Sequence, residues 1–257
     1  MTCSVESITH AVKRLRAPPC KRLQDELFMN STKAPVLHRS ETRVAAFFDV
    51  DNTLLPGEAS EVRFFRSLWR RGIVGWPELQ ASAWWLLRQL PSLSLQPLRE
   101  RKLYLAGKPV QVIEPLAEEF CREQLCPVVS ADGMRRLEEH RQAGHVIILI
   151  TGSLDFLIDP IATALQVDRC IAAQPEEIDG LYTGRLRSPL PYGEGKRQLI
   201  QQLGSELGLA LPSCFAYGDS PGDREILETI GHPTVVNPIR GMAAIAKQNG
   251  WPIQQWR

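Results

Sequence analysis

The fold is decided by the stretch Val44-Ala-Ala-Phe-Phe-Asp49, which continues as Val-Asp-Asn-Thr53. Its first five residues form an unbroken apolar run of strand length, which is typical of a strand buried on both faces of a parallel sheet. The Asp-Asn pair that follows has turn chemistry and ends the run. We therefore predict a central parallel strand with polar side chains at its carboxyl end.

Three later apolar runs repeat this arrangement, and each follows a stretch of helical character. The runs are His145–Ile150, Cys214–Tyr217 and Pro233–Val236, and the helical stretches before them are Met134–Ala143, Lys196–Leu207 and Arg224–Ile230. Strands that alternate with helices of this length favour right-handed βαβ units. The sequence therefore predicts an α/β fold with a Rossmann-like, doubly wound parallel sheet.

A long segment without a comparable strand run separates the first predicted strand from the second. A βαβ crossover needs far fewer residues. The segment instead contains helical patterns at Glu61–Gly72, Ala81–Leu90 and Val112–Leu125. We interpret it as a helical cap, at residues 57–127, that leaves the sheet and returns to it.

Residues 1–42 carry an excess of basic side chains, which is also a property of transit peptides. Acidic residues and Pro18-Pro19 interrupt an amphipathic targeting helix, so we interpret the segment as a basic, loosely ordered extension, with organellar targeting as the alternative. The remaining residues, 43–56 and 128–257, form the predicted α/β core.

Composition and charge argue against several classes of protein. A formal net charge of +1 gives no overall basic field that would gather nucleic acid. The six cysteines contain no Cys-x-x-Cys pair and are interpreted as reduced thiols of a cytoplasmic protein. The most apolar stretch, Ala81–Leu90, contains Arg88 and is well short of the roughly 20 residues that span a bilayer. We expect a cytoplasmic enzyme without a transmembrane segment or a nucleic-acid partner, and the sequence leaves its oligomeric state open.

Polar loops follow three of the predicted strands. They are Asp49–Thr53, the Thr-Gly-Ser of Thr151–Ser153, and the Gly-Asp-Ser-Pro-Gly-Asp of Gly218–Asp223. Each loop alone has the composition of a turn or a helix cap. In an open parallel sheet, however, ligands bind beyond the carboxyl ends of the strands. We therefore expect the three loops to meet at one crevice.

Four carboxylates are concentrated in these loops, at Asp49, Asp51, Asp219 and Asp223. Unpaired carboxylates at adjacent strand ends repel one another. A hard divalent cation removes that repulsion, and Mg2+ prefers carboxylate, water and phosphate oxygens. The sequence therefore predicts a Mg2+ site at this crevice.

The order of these motifs resembles that of the haloacid dehalogenase (HAD) superfamily of phosphohydrolases. The resemblance is carried by Asp-x-Asp-x-Thr, an apolar strand ending in Thr-Gly-Ser, a lone Lys and Gly-Asp-x-x-x-Asp. Asp179–Leu186 and Tyr192–Lys196 resemble more narrowly its phosphoserine-phosphatase-like branch, subfamily IB. The resemblance extends over residues 44–240 and implies the HAD fold with a helical cap.

The resemblance also implies roles for individual residues. Asp49 is the implied nucleophile and forms an aspartyl phosphate. Asp51 is the implied general acid and base. Thr151 and the amide of Gly152 are expected to hold phosphate oxygens, and Lys196 to neutralise charge in the transition state.

The implied Mg2+ ligands are the Asp49 carboxylate, the Asp51 backbone carbonyl and Asp219, with Asp223 directly or through water. Glu58 falls nine residues after Asp49, where phosphoserine phosphatases place a carboxylate that meets the substrate's amino group. Its flanking sequence departs from those enzymes, so an exposed glutamate at the start of the cap is the alternative.

These features together predict a magnesium-dependent phosphomonoester hydrolase that acts on a small phosphorylated metabolite, with phosphoserine-like esters or phosphorylated amines favoured. A phosphotransferase or phosphomutase is one alternative. A lipid-phosphate phosphatase is another, if Trp84 and Trp85 line an apolar pocket instead of the cap's own core. The non-enzyme alternative is a phosphometabolite-binding regulatory protein, and the complete set of motif residues argues against it.

Overall fold

The computed structural model describes residues 43–76, 80, 101–187 and 190–257. Its strands are β1 Ala45–Phe48, β2 Val146–Leu154, β3 Arg169–Ala173, β4 Pro175–Ile178, β5 Leu181–Leu186, β6 Phe215–Gly218, β7 His232–Val236 and β8 Ile253–Gln254. Six of them form a parallel sheet in the order β3-β2-β1-β6-β7-β8. The other two, β4 and β5, form an antiparallel hairpin.

The described helices all lie between these strands in the chain. They are α1 Ser60–Arg70, α2 Val110–Phe120, α3 Ala131–Gln142, α4 Asp155–Ala164, α5 Glu194–Leu207, α6 Arg224–Thr229 and α7 Met242–Asn249, and a π-helical turn, Cys121–Leu125, follows α2. None of them combines the length and the apolar character needed to cross a membrane. The predicted extension at 1–42 and the stretch Ala81–Leu90, with Trp84 and Trp85, lie outside the described residues.

Strand β1 occupies the centre of the sheet because both of its faces are apolar. Phe47 is fully buried in a cluster that contains Ile200 of α5 and Met242 of α7. Phe48 is fully buried on the opposite face, in a cluster that contains Leu137 of α3. Helices thus cover both faces, and the predicted α/β fold with a doubly wound parallel sheet is confirmed.

Helices α1 and α2 lie between β1 and β2 in the chain and pack against the Phe48 face of the sheet. The ring of Phe64 on α1 lies 5.4 Å from that of Phe120 on α2 and 6.0 Å from that of Phe156 on α4. These contacts join the described part of residues 57–127, here called the insert, to the core through a shared apolar cluster. The exact cap boundaries at 57–127 stay a prediction.

The hairpin fixes the second half of the insert. Gly184 and Tyr182 of β5 accept backbone hydrogen bonds of 2.8 Å from Lys102 and Gly107, respectively. The hairpin turn consists of Asp179 and Gly180, with φ values of 53° and 75°. Asp-Gly is a preferred pair for such a turn because both positions need a positive φ. Backbone hydrogen bonds therefore hold the segment around Lys102 alongside β5.

Candidate functional site

A cavity of about 510 Å3 lies at the carboxyl ends of β1, β2 and β6. The three loops predicted to converge there do meet around it. Its lining includes most of the residues singled out from the sequence: Asp49, Asp51, Thr151, Gly152, Lys196, Asp219 and Asp223. On the opposite side, the insert contributes Ala59, Glu61, Val62 and Lys102.

The floor of the cavity carries an acidic cluster, formed by Asp49, Asp219 and Asp223. One carboxylate oxygen of each lies within 4.8 Å of the others, and all three side chains are buried. Burial, followed by repulsion from Asp223, raises the pKa of Asp49 well above its usual value and that of Asp219 to about 7. Buried, closely spaced carboxylates of this kind form a donor set that suits a hard divalent cation.

Among the described residues, Lys196 supplies the ammonium that pairs with the acidic cluster. Its Nζ donates to Asp49 Oδ1 at 2.8 Å and to Asp223 Oδ1 at 2.5 Å, and only 2% of the side chain is exposed. Burial lowers the pKa of Lys196, but the neighbouring Asp223 and Asp49 outweigh it and raise that pKa above its usual value. When all three carboxylates are ionised, one ammonium leaves two negative charges uncompensated, which matches the charge of a divalent cation.

The turn before Lys196 explains the two glycines that precede it. Gly193 has φ of 55°, a conformation that glycine adopts without strain. A Cβ atom on Gly195 would lie 1.9 Å from the Leu190 carbonyl oxygen, so no side chain fits there. This close approach lets α5 begin with Glu194 and places Lys196 in its first turn, facing the acidic cluster.

Asp223 has a second task, which is to hold its own loop. Its Oδ2 accepts hydrogen bonds from the backbone of Asp219 at 3.2 Å and of Ser220 at 3.1 Å, and from the Ser220 hydroxyl at 3.0 Å. Its Oδ1 faces Lys196. Because both oxygens are engaged, Asp223 mainly orients Asp219 and Lys196 and has less lone-pair capacity for a cation than Asp219.

Asp51 is held between the core and the insert. Its Oδ1 accepts a 2.8 Å hydrogen bond from the backbone N–H of Ser60, the first residue of α1, and its Oδ2 accepts one from the Ser153 hydroxyl. The Ser60 hydroxyl donates to Ser153 at 3.2 Å. The α1 amino terminus therefore fixes the orientation of this carboxylate, and sequence reasoning missed both serines.

Asn52 was also missed, although it orients Asp219. Its Nδ2 donates to Asp219 Oδ2 and to the Asn237 carbonyl, both at 2.9 Å. Its φ of 57° lies in the left-handed region, which asparagine tolerates better than most residues. An asparagine between an aspartate and a threonine, directly after a buried strand, was the available signal.

Thr151 and Gly152 lie where the expected phosphate cradle would be. The Thr151 side chain is buried against the cavity, and its hydroxyl accepts a 3.2 Å hydrogen bond from the Ser153 backbone. Gly152 is exposed on the rim. The two residues thus present a hydroxyl and an open stretch of backbone to the space above the acidic cluster.

Glu58 is not brought to the other predicted residues. It does not line the cavity, and both of its oxygens accept 2.8 Å hydrogen bonds from Arg66 at the surface. The bond to Arg66 lowers the pKa of Glu58 below its usual value. Its role in substrate binding stays a prediction, whereas Glu61 is the carboxylate of α1 that does line the cavity.

Comparisons with known proteins agree with this architecture. Residues 46–228 match the family model for haloacid dehalogenase-like hydrolases. The chain is 32% identical over 220 residues to phosphoserine phosphatase SerB1 of Mycobacterium tuberculosis, covering 83% of this chain and 71% of that protein. It is 29% identical over 219 residues to histidinol-phosphatase of Neisseria meningitidis, covering 82% and 98%. Among solved structures, it resembles a Bordetella pertussis protein of unknown function, with a TM-score of 0.71, 32% identity, and 83% and 99% coverage.

Proposed function

The chain belongs to the haloacid dehalogenase-like hydrolase family and is a phosphatase, and we propose that it is a magnesium-dependent phosphomonoesterase that acts through an aspartyl phosphate on Asp49. The observation that carries the proposal is the pairing of the buried acidic cluster with Lys196 in one cavity. Few structural roles require three buried carboxylates beside a single ammonium, whereas phosphoryl transfer uses such an arrangement directly.

Asp49 supplies the nucleophile. Its Oδ1 is held by Lys196, while no donor among the described residues occupies its Oδ2. That oxygen attacks phosphorus, the bond from phosphorus to the alcohol oxygen breaks, and the phosphoryl group passes to Asp49. The Lys196 ammonium keeps the carboxylate in place and offsets negative charge on the transferring group.

Asp51 moves the proton in both halves of the reaction. In the first half, it donates a proton to the departing alcohol oxygen. In the second half, it accepts a proton from the water that attacks the aspartyl phosphate, which releases phosphate and restores Asp49. The hydrogen bonds from Ser60 and Ser153 support this role because they fix the carboxylate beside the cavity.

The acidic cluster fits Mg2+ in charge and in ligand type. Asp49 and Asp219 would hold the ion through their carboxylates, Asp51 through its backbone carbonyl, and Asp223 through water. Bound Mg2+ would supply positive charge to the phosphoryl oxygens and to the buried carboxylates. Thr151 and Gly152 would hold the remaining phosphoryl oxygens.

The substrate that we propose is a small phosphate ester of an amino alcohol or an amino acid. Two relatives are named for phosphoserine and for histidinol phosphate. Both compounds are esters of a primary alcohol with an amino group on the adjacent carbon. We further propose that residues 57–127 act as a cap that covers the leaving group and limits access of bulk water.

Phosphate release with Mg2+, measured over phosphoamino acids, phosphorylated amines, sugar phosphates and nucleotides, tests this proposal. Asp49→Asn should lower the rate at least about a thousandfold while the protein keeps its circular dichroism spectrum and melting transition. Chelation of Mg2+ should have a similar effect. A folded Asp49→Asn protein that keeps most of its activity would exclude the mechanism, and phosphoryl transfer to an alcohol without free phosphate would indicate a mutase or transferase.

A further inference from the structure

We infer that Glu61 and Lys102 form a subsite that reads the leaving group of the substrate, and that it fits an alcohol with an ammonium and a carboxylate side by side. The inference rests on the proposed function, because it concerns the same cavity. It assigns specificity to a pair of insert residues that the sequence motifs do not contain.

The position of Asp51 indicates where the leaving group must lie. In the proposed mechanism Asp51 protonates the departing oxygen, so the alcohol leaves from its side of the cavity. The Asp51 carboxylate accepts its hydrogen bond from the backbone of Ser60, and Glu61 is the next residue in the first turn of α1. Glu61 therefore faces the space that the substituents of the leaving alcohol enter.

The Glu61 side chain is held in that position by two donors. Lys102 Nζ donates to its Oε2 at 2.5 Å, and the Tyr104 hydroxyl donates to its Oε1 at 3.0 Å. The Tyr104 ring packs edge-to-face against Phe65 at 5.4 Å. The backbone of Lys102 is tied in turn to Gly184 of the hairpin. Both charges of the pair are thus positioned before any ligand arrives.

The exposure of the pair distinguishes it from other ion pairs of the insert. The side chains of Lys102 and Glu61 are 12% and 19% exposed, yet both line the cavity. By contrast, the Arg66–Glu58 pair is 49% and 43% exposed and lies outside the cavity. A partly desolvated pair interacts more strongly with a ligand charge than a solvated one does, because less water screens it.

Glu61 and Lys102 place one negative and one positive charge next to each other. This arrangement favours a ligand whose positive and negative groups are also adjacent. A ligand ammonium can bind Glu61 while a ligand carboxylate binds Lys102, so every charge keeps a partner. A ligand with an ammonium alone would compete with Lys102 for Glu61, and an uncharged alcohol would leave the pair unchanged. A ligand that has only one of the two charges leaves a charge of the protein without a partner, so it should bind less tightly than a ligand that has both.

The test compares kcat/KM on three phosphate esters, with Mg2+ present. Phosphoserine carries both charges, phosphoethanolamine carries the ammonium alone, and ethyl phosphate carries neither. Glu61→Gln should lower kcat/KM about 10- to 100-fold for the first two esters, since a hydrogen bond between charged groups is lost, and should not change it for ethyl phosphate. Lys102→Met should lower it for phosphoserine alone.

Two further variants serve as comparisons. Glu119→Gln removes another carboxylate of the insert, one that pairs with Arg71 away from the cavity, and should leave all three values unchanged. Glu58→Gln tests the competing assignment. A shift in the relative rates from Glu58→Gln, with none from Glu61→Gln, would overturn the inference.

A purely structural role for the pair would also overturn the inference, and it has a different signature. In that case Glu61→Gln and Lys102→Met would lower kcat/KM for all three esters in parallel and would lower the melting temperature. Hydrolysis of ethyl phosphate tests the proposed phosphatase activity independently of the subsite, because this ester has neither an ammonium nor a carboxylate. If wild-type protein releases no more phosphate from any of the esters than Asp49→Asn does, the proposed function fails and the subsite fails with it.

Discussion

Two polar clusters each include a residue on β6 or in the loop after it, and they differ in how their charges are satisfied. The first, here the neutral cluster, consists of His140, His145 and Tyr217. His140 Nε2 lies 2.7 Å from the Tyr217 hydroxyl, and its Nδ1 lies 2.9 Å from His145 Nδ1. The second is the acidic cluster, whose Asp219 follows Tyr217 by two residues.

Burial shifts the pKa values in the two clusters with opposite results. It lowers the pKa of His140 to about 4, so this side chain is neutral near pH 7 and its hydrogen bonds satisfy it completely. In the acidic cluster, burial raises the pKa values of Asp49 and Asp219, and the three ionised carboxylates would carry more negative charge than Lys196 can offset. A buried polar group with neutral partners stabilises the fold, whereas buried uncompensated charge indicates that a ligand completes the site.

The largest effect on stability should follow from removing the single ammonium of the acidic cluster. Lys196→Met leaves buried carboxylates without their partner, which should lower the free energy of unfolding by about 3–5 kcal/mol in metal-free buffer. Urea unfolding measures the change. The matched control is Lys247→Met, which removes an exposed lysine of α7 and should have no effect. Equal stability of the two variants would contradict the account of the cluster.

Divalent cations and pH should act together on the acidic cluster. Because the folded-state pKa of Asp219 is raised to about 7, the metal-free folded protein binds more protons than the unfolded chain between about pH 4 and pH 7. Its stability should therefore fall as pH rises through that window. Mg2+ at about 100 times its Kd should add about 2.7 kcal/mol where the carboxylates are ionised, and less in acid.

Thermal melts with Mg2+ or with a chelator, at about pH 5 and about pH 8, measure this coupling. A Mg2+-dependent increase in melting temperature that is the same at both pH values would contradict it. The same series on the Lys196→Met protein sharpens the comparison, because more of its stability should then depend on Mg2+.

The neutral cluster should show the opposite pH dependence, with a smaller effect. Because the folded-state pKa of His140 is lowered, the unfolded chain binds the proton first as pH falls from about 6.5 towards about 4, and stability declines by up to about 1.4 kcal/mol per pH unit. His140→Gln should reduce this slope. His232→Gln, at an exposed position, should retain it. If the free energy of unfolding of His140→Gln changed with pH as steeply as that of the wild type, another group would be responsible for the acid sensitivity.

The sequence predicted the features that depend on local patterns. The β1 strand follows from a short apolar run, Asp49 and Thr151 follow from motifs at strand ends, and Lys196 follows from the family resemblance. The structure brings these residues together because parallel strands share one carboxyl edge. The Asp179-Gly180 turn is an equally local signal, although the sequence analysis did not predict a hairpin there.

The features that the sequence did not predict depend on contacts between distant segments. Ser60 orients Asp51 only because the first residue of α1 lies against the loop after β1, and Lys102 reaches Glu61 only because the hairpin holds its backbone. Counting residues from Asp49 predicts Glu58 as the substrate carboxylate, and this role stays a prediction. Glu58 precedes α1, and its side chain is paired with Arg66. Such choices depend on tertiary geometry, which spacing along the chain does not determine.

The central claim is that Asp49 carries the phosphoryl group during turnover. Asp51→Asn keeps this nucleophile but removes the proposed base for the attacking water, so the phosphorylated enzyme should accumulate when Mg2+ and an aryl phosphate are supplied. Acid quenching and peptide mass spectrometry should then find the peptide that contains Asp49 heavier by one phosphoryl group, and the additional Asp49→Asn change should abolish this. A phosphoryl group on another residue, or continued phosphate release with Asp49 replaced, would contradict the account.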